Sequence, residues 1–525
     1  MQSLGELRSD AGTAPAALSE ARSDAAAGRW LPIVPVLLGI ALLLTNRWFT
    51  EVDDEVAIVD QAARPVRATV ERFLGGVGMH EHPPLYDLLL HGWLRLTGGN
   101  IHLLRLLPIL FFMTGAWVLS VAARRLGGTG SQFWTLMLVS LSPFGFHYGR
   151  VATWYSCGFL LVSLLTLAYL RFAEKPDPKS WIGLTAVSLA LVYANYFGWA
   201  FLAMIAIDYS LRNRRDFGRA ARWIGATAAV LLIAYLPIVG AFEHELKAGS
   251  RPRLSILGFL ISAGYNLYLV FISESVAAWV WPLSTIGVAA TGVCLFLLWR
   301  TPSPARRFFL CFAGIIALLA LLGIILPKRT FFATPWLALP LGVALGTMGQ
   351  QLARRVLLAA LAICAAIGWY GIFTRNLYAA PHWIEPWQEV AQRSAIVAEQ
   401  GGVVIGNNPS FFFYLTYLAP VRAVMPHAGG FAGLLPDSVR ATNIYTPRQW
   451  LAAGRPSGEI VVLAKGVHYG IPADPTEETQ KWLDENCRLD NVQRNVHDSG
   501  AALKQSFVHF SQPEWRVEVR NYRCR

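Results

Sequence analysis

Apolar runs of nearly membrane-spanning length recur from residue 31 to about residue 374, and they restrict the folding options of this chain more than any other feature. A helix needs about 20 predominantly apolar residues to cross a bilayer. Such runs stand at 31–48, 104–123, 131–148, 152–170, 181–196, 197–210, 223–241, 281–299, 308–326, 331–349 and 356–374, which predicts eleven crossings. The stretch 181–210 must supply two of them by turning near Asn195, because Lys179 precedes it and Arg212 follows it. Charged residues make up 15% of the chain, against about 25% in an ordinary globular protein. That balance excludes an entirely soluble enzyme, and 54% apolar residues exclude a disordered chain.

A net charge of +12 would suit a nucleic-acid partner, but its placement argues for a different cause. Arg124 and Arg125; Arg171, Lys175 and Lys179; Arg212, Arg214, Arg215, Arg219 and Arg222; Arg300, Arg306 and Arg307; and Arg354 and Arg355 fall in alternate connections. Lys and Arg in short loops stay on the cytoplasmic side, so these loops are assigned inside. Set against their three acids, Glu174, Asp177 and Asp216, they carry the whole excess, and no nucleic-acid partner is expected. Residues 1–30 read as a polar cytoplasmic tail. No short apolar stretch with a cleavage site precedes the first helix, which is expected to be its own anchor.

This topology leaves three segments outside: a first loop of about 50–103, a loop of about 242–280, and everything after about 375. The chain therefore reads as a polytopic α-helical membrane protein, with a transmembrane domain over 31–375 and an extracytoplasmic α/β domain over 376–525. In the latter, β-rich runs (403–405, 459–463 and 515–519) alternate with helical stretches (388–399 and 476–486). Cys157, Cys294, Cys311 and Cys364 fall in predicted helices, where a thiol is usually a small hydrophobe. Cys487 and Cys524 fall outside, where an oxidising compartment permits the disulfide predicted between them.

Predicted membrane helices carry almost no acids, which disfavours an ion-coupled transporter or flippase. Acids crowd instead just after the first helix, at Glu51, Asp53, Asp54 and Glu55. Adjacent carboxylates repel one another, so such a cluster suits a raised pKa or a bound cation. Further along, His82-Pro83-Pro84-Leu85-Tyr86 opens an amphipathic helix. Leu85, Leu88, Leu89, Trp93 and Leu96 form one face and Asp87, His91 and Arg95 another. The trio His80-Glu81-His82 offers ligands for a divalent metal but defines no third site, so no metal is required. Arg150, Lys328 and Arg329 lie at the same outer boundary, against the inside bias, with Tyr155 and Tyr196 nearby.

These residues resemble the GT-C glycosyltransferases that use polyprenyl-phosphate sugars: protein O-mannosyltransferases, the lipid A aminoarabinose transferases and related bacterial enzymes. Asp54-Glu55 is similar to the family's Asp-Glu after the first helix. About 27 residues on, His82-Pro83-Pro84-Leu85-Tyr86 with His91-Gly92-Trp93 is similar to its second motif. Where the family has Gln-Glu-Ala-Arg, this chain has Arg150-Val151-Ala152-Thr153, and Asn195 replaces a His.

The resemblance implies a GT-C-like fold and transfer of a sugar, with inversion, from a polyprenyl-phosphate donor to a glycan, glycolipid or protein acceptor outside a bacterial inner membrane. It implies Asp54 as general base, with Asp53 its rival and Glu55 orienting the acceptor or the loop. His82, Arg150, Lys328 and Arg329 would lie at the donor phosphate, Arg329 being favoured for its bidentate geometry. Tyr86, His91, Tyr155 and Tyr196 would shape the acceptor side. A lipid-linked glycan ligase is the alternative enzyme, but it would place its key residues in a late outer loop.

Overall fold

The computed structural model describes residues 31–49, 53–75, 82–248, 255–278, 280–375, 377–379, 381–418, 443–456, 458–466, 476–498 and 514–524. Helix α1 (Ile33–Leu44) leads to three helices of the first loop, α2 (Asp53–Ala63), α3 (Val66–Gly75) and α4 (Leu85–Leu96). Helix α5 (Leu106–Leu141) breaks at Gly127 and Gly128, where Gly128 adopts φ 78°, a conformation that L side chains rarely accept. That break yields the two helices expected from separate runs. A short α6 (Pro143–Tyr148) and α7 (Trp154–Glu174) follow.

Helices α8 (Pro178–Ala194) and α9 (Gly198–Arg212) turn at Asn195, whose side-chain oxygen accepts the Phe197 N–H at 2.8 Å. After α10 (Phe217–Tyr235) and α11 (Val239–Ala248) come α12 (Ile256–Ile272), α13 (Trp281–Arg300), α14 (Arg306–Leu321), α15 (Pro335–Thr347) and α16 (Gln351–Thr374). Two of the three acids in the basic loops are helix caps: Asp177 accepts the Ser180 N–H and Asp216 the Arg219 N–H.

Each of the eleven runs coincides with a helix, but length and composition single out fewer as spans. Among the described residues five helices suffice alone, lying at Leu106–Leu141, Trp154–Glu174, Arg214–Glu243, Trp281–Arg300 and Gln351–Thr374. The pair Pro327–Ala333 and Pro335–Thr347, bent by 49°, makes up to six. The chain is a multi-pass membrane protein. The segment 242–280, expected to be a loop, instead holds α12, whose 17 residues are fewer than the about 20 of a typical crossing. The acid inside the helical region, Asp208, accepts the Tyr169 hydroxyl and pairs with Arg307 at 3.6 Å.

Gly342 and Gly346 place α15 against the second arm of α5. A Cβ at Gly346 would stand 2.5 Å from the Ser131 backbone nitrogen, and one at Gly342 would stand 2.7 Å from that of Thr135. Small residues four apart on both helices allow this approach. Neither backbone can retreat, so Gly346→Ile is expected to remove the folded, monodisperse protein from detergent extracts. Gly346→Ala should cost about 1–3 kcal/mol, read as a lowered melting temperature.

The C-terminal α/β unit begins with α17 (Trp387–Glu399) and continues through β1 (Val403–Gly406), α18 (Pro409–Leu418), β2 (Ile444–Tyr445), α19 (Pro447–Ala452), β3 (Ile460–Gly466), α20 (Thr476–Asn486), β4 (Cys487–Asp498) and β5 (Glu514–Cys524). The sheet order is β2-β1-β3-β5-β4, parallel among the first three strands and antiparallel beyond. Alternate residues feed two cores: Val404, Val462 and Ala464 meet Trp387 and Phe411, while Val403, Ile405, Val461 and Leu463 meet Trp450 and Leu483. Cys487 and Cys524 are joined by a disulfide. Helix α18 packs against α2, and its Phe413 is buried in the core of the membrane helices.

Glu518 on β5 is buried under Arg520, Arg494 and Lys465. Burial raises its pKa, but Arg520 and the other two cations outweigh burial and bring it from 4.5 down to about 2. A depressed carboxylate stabilises above its unfolded pKa and loses that contribution as pH falls through its folded one. The unit is therefore expected to lose thermal stability between about pH 4.5 and 2. Glu518→Gln should flatten that dependence in melting curves.

Candidate active site

The site is built where the first loop meets the ends of α5, α6 and α7. Glu55, fully buried in the first turn of α2, receives Nε and Nη2 of Arg105 at 2.9 and 2.6 Å, and its Oε1 also accepts the Ala152 N–H at 2.7 Å. The Arg105 Nη1 reaches back to the Phe49 and Asn46 carbonyls. This buried pair fixes the start of α2 to the loop before α7. Asp53 and Asp54 open the same turn; their side chains lie outside the described groups, as do Glu51, His80 and Glu81.

Arg150 is buried between the rings of Phe49 and Phe146, with its guanidinium carbon 4.5 and 4.2 Å from their centroids. It donates to Phe146 O, Leu42 O and the Thr45 hydroxyl, so it also holds α1 against α6. Among the described residues its Nη2 has no hydrogen-bond partner. His82 lies 5.1 Å from the Trp154 ring, and Trp154 touches Tyr155 (4.8 Å) and Phe332 (5.2 Å). Phe332 stacks on Phe197, which in turn carries the Arg329 guanidinium at 5.5 Å. One line of rings thus connects His82 and Tyr155 to Arg329, with half-buried Lys328 as its chain neighbour.

Helix α4 turns Asp87 and His91 of its polar stripe inward and leaves Arg95 exposed. Asp87 is buried and His91 Nδ1 lies 2.7 Å from the Ala62 carbonyl of α2, while Leu89 and Leu96 are exposed. That leaves the leucines facing outward on a surface suited to lipid. Burial, aided by Cys157, Glu55 and Asp87, holds the Tyr86 hydroxyl well above its ordinary pKa. Tyr86 is therefore a neutral donor rather than a base. Tyr196 lies apart from this group: it packs on Phe242, in a cluster containing Phe73 and Tyr235.

Among the described residues, no group of three or more His, Cys, Asp or Glu is arranged to hold a metal. An apolar cavity of about 280 Å³ lies between α5, α7, α15 and α16, lined by Trp134, Leu138, Phe159, Phe331, Leu341 and Leu361. It also reaches Ser142 and Gly145 at the start of α6. Arg105 went unnoticed in the sequence, although a cation beginning an apolar run at the outer end breaks the inside bias as Lys328 and Arg329 do. Glu274, which accepts hydrogen bonds from Tyr148 and Trp383, was hidden inside the supposed 242–280 loop.

Residues 81–240, from the first-loop motif through α10, match the family described as dolichyl-phosphate-mannose-protein mannosyltransferase. Among solved structures, the chain is similar to ArnT from Cupriavidus metallidurans in the apo state. That match has a TM-score of 0.53 and 14% identity, over 94% of this chain and 98% of that one. It is similar also to the same protein bound to undecaprenyl phosphate, with a TM-score of 0.51 and 14% identity, over 93% and 97% of the two chains. A search of curated protein sequences finds no match. With that likeness running along nearly the whole of both chains and the family match beginning at the candidate site, the chain has the GT-C membrane fold.

Proposed function

We propose that this chain is an integral membrane glycosyltransferase that moves a sugar from a polyprenyl-phosphate donor to an acceptor hydroxyl on the outer face of a bacterial inner membrane. The observation that carries this reading is the clamp on Glu55. A carboxylate held by Arg105 and the Ala152 N–H leaves the start of α2 one fixed position, and Asp53 and Asp54 stand in that turn. Placing a reacting group so firmly removes much of the entropic part of a barrier.

In this mechanism Asp54 takes the proton of the acceptor hydroxyl as its oxygen attacks the anomeric carbon. The bond from that carbon to the phosphate oxygen breaks on the opposite face, which inverts the centre. Polyprenyl phosphate leaves already charged, so cations and not a proton donor ease its departure. Arg329 and Lys328 supply them, with Arg150 and His82 as further candidates. The 280 Å³ apolar cavity offers room for part of a hydrocarbon chain. Undecaprenyl phosphate, seen bound to ArnT, is a polyprenyl phosphate, the class of the leaving carrier proposed here and not of the sugar-bearing donor. The basic loops support an N-terminus inside and a C-terminal unit outside.

The test is product analysis. Purified protein in proteoliposomes, given a polyprenyl-phosphate sugar and an envelope acceptor fraction, should release free polyprenyl phosphate in step with glycosylated acceptor. A flippase would move the donor lipid without consuming it, and that result would sink the proposal. Comparison of envelope glycans from a deletion strain and its parent would then identify the sugar and the acceptor.

A further inference from the structure

Glu274 sits in the connection from α12 to α13, directly after Ser273, which is held at φ 73°. A serine rarely adopts that conformation, which persists only where the surrounding structure holds it. The consequence is a buried carboxylate. Its Oε1 accepts the Tyr148 hydroxyl at 2.9 Å and its Oε2 accepts the Trp383 indole N–H at 3.0 Å. Tyr148 ends α6, two residues before Arg150, while Trp383 lies in the turn Pro381–Ile384 that leads into the C-terminal unit. Two backbone bonds run alongside, from Ala379 N–H to Glu274 O and from Ala277 N–H to Leu377 O, both at 2.8 Å.

These contacts continue to the acidic turn. His147 meets Trp383 edge-on at 4.5 Å and Phe49 at 5.4 Å. The Phe49 ring carries the Arg150 guanidinium, and its carbonyl accepts Arg105, which holds Glu55. From the far side, α18 packs on α2 itself. A buried carboxylate is an expensive way to fill space, since it needs every hydrogen bond it can find. Its two oxygens join the end of α6 to the turn Pro381–Ile384.

We propose that Glu274 is a positioning residue for sugar transfer: it ties the entry of the C-terminal unit to the helix end bearing Arg150, and so holds that unit over the first turn of α2. The catalytic part of this inference rests on the transferase reading; the tether itself does not.

The experiment combines kinetics with a distance measurement. Leu96→Cys and Gln392→Cys, both at exposed positions, would carry spin labels on α4 and on the C-terminal unit. Into that background go Glu274→Gln, which turns one acceptor into a donor, and Trp383→Phe, which removes one donor and keeps an aromatic ring; Tyr148→Phe is the conservative substitute should either fail to fold. A misplacement of about 1 Å can lower turnover about a hundredfold. Turnover is expected to fall at least tenfold with the donor KM changed less than threefold, while the distance between labels broadens. Unchanged turnover, or reduced turnover with an unchanged distance distribution, would overturn the proposal. If the unaltered protein shows no transfer, the transferase reading fails, and the distance distribution alone decides the tether.

Discussion

Asp54→Asn is expected to abolish sugar transfer, lowering turnover by on the order of 10²–10⁴-fold, the range a positioned general base contributes. The substitution keeps the shape of the side chain, so the melting temperature and the affinity for donor lipid should stay near those of the unaltered protein. Asp53→Asn is the control that makes the result specific, because the two carboxylates are adjacent in the first turn of α2. Loss of turnover in Asp53→Asn with near-normal activity in Asp54→Asn would move the base by one residue. Near-normal turnover in both would remove the enzymatic reading altogether. Glu55 is not an alternative base: both its oxygens are engaged by Arg105, and Oε1 also takes the Ala152 N–H, which suits an orienting role.

Why Asp54 could be singled out from sequence, and Arg105 could not, follows from the kind of information each leaves. A cluster of acids in a chain poor in them is visible as composition. An ion pair between residues 50 apart leaves no spacing to read, and at Arg105 only an isolated charge. The same contrast runs through the fold. Apolar runs mark helices reliably because lipid demands a continuous apolar surface, and the break at Gly127–Gly128 was legible as a gap between two runs. Helix α12 was not: its 17 residues are as many as some of the runs read as crossings, but a crossing there would break the alternation of the basic loops between Arg222 and Arg300.

In the C-terminal unit the apolar runs at 403–405, 459–463 and 515–519 lie in strands β1, β3 and β5. Strand β4 escaped because Cys487–Asp498 is polar at eight of its twelve positions, as an edge strand with solvent on one side can be. Tyr196 shows the limit of motif matching: its chain neighbour Phe197 reaches the ring line beside Arg329, while its own ring turns into another cluster. Sequence proximity brought the turn to the site, but side-chain direction depended on packing that no spacing encodes.

Arg105→Leu should be severely damaging although it lies outside the acidic turn. The arginine is 1% exposed and its partner Glu55 is wholly buried. Removing one member of a buried pair leaves an uncompensated charge and costs about 3–5 kcal/mol, here with the Phe49 and Asn46 carbonyls also losing a donor. The expected result is a large drop in the yield of monodisperse protein and in its melting temperature. The double variant Arg105→Leu with Glu55→Leu separates stability from function. Replacing both charges by apolar groups is often neutral or stabilising, so folded yield should recover in large part, limited by the Ala152 N–H that loses its acceptor. Transfer should not recover, because the start of α2 would then be held by packing alone and Asp54 would no longer have one fixed position. A double variant with both folding and turnover restored would show that the pair serves stability only. Orientation of the base would then have to come from α18 packed on α2.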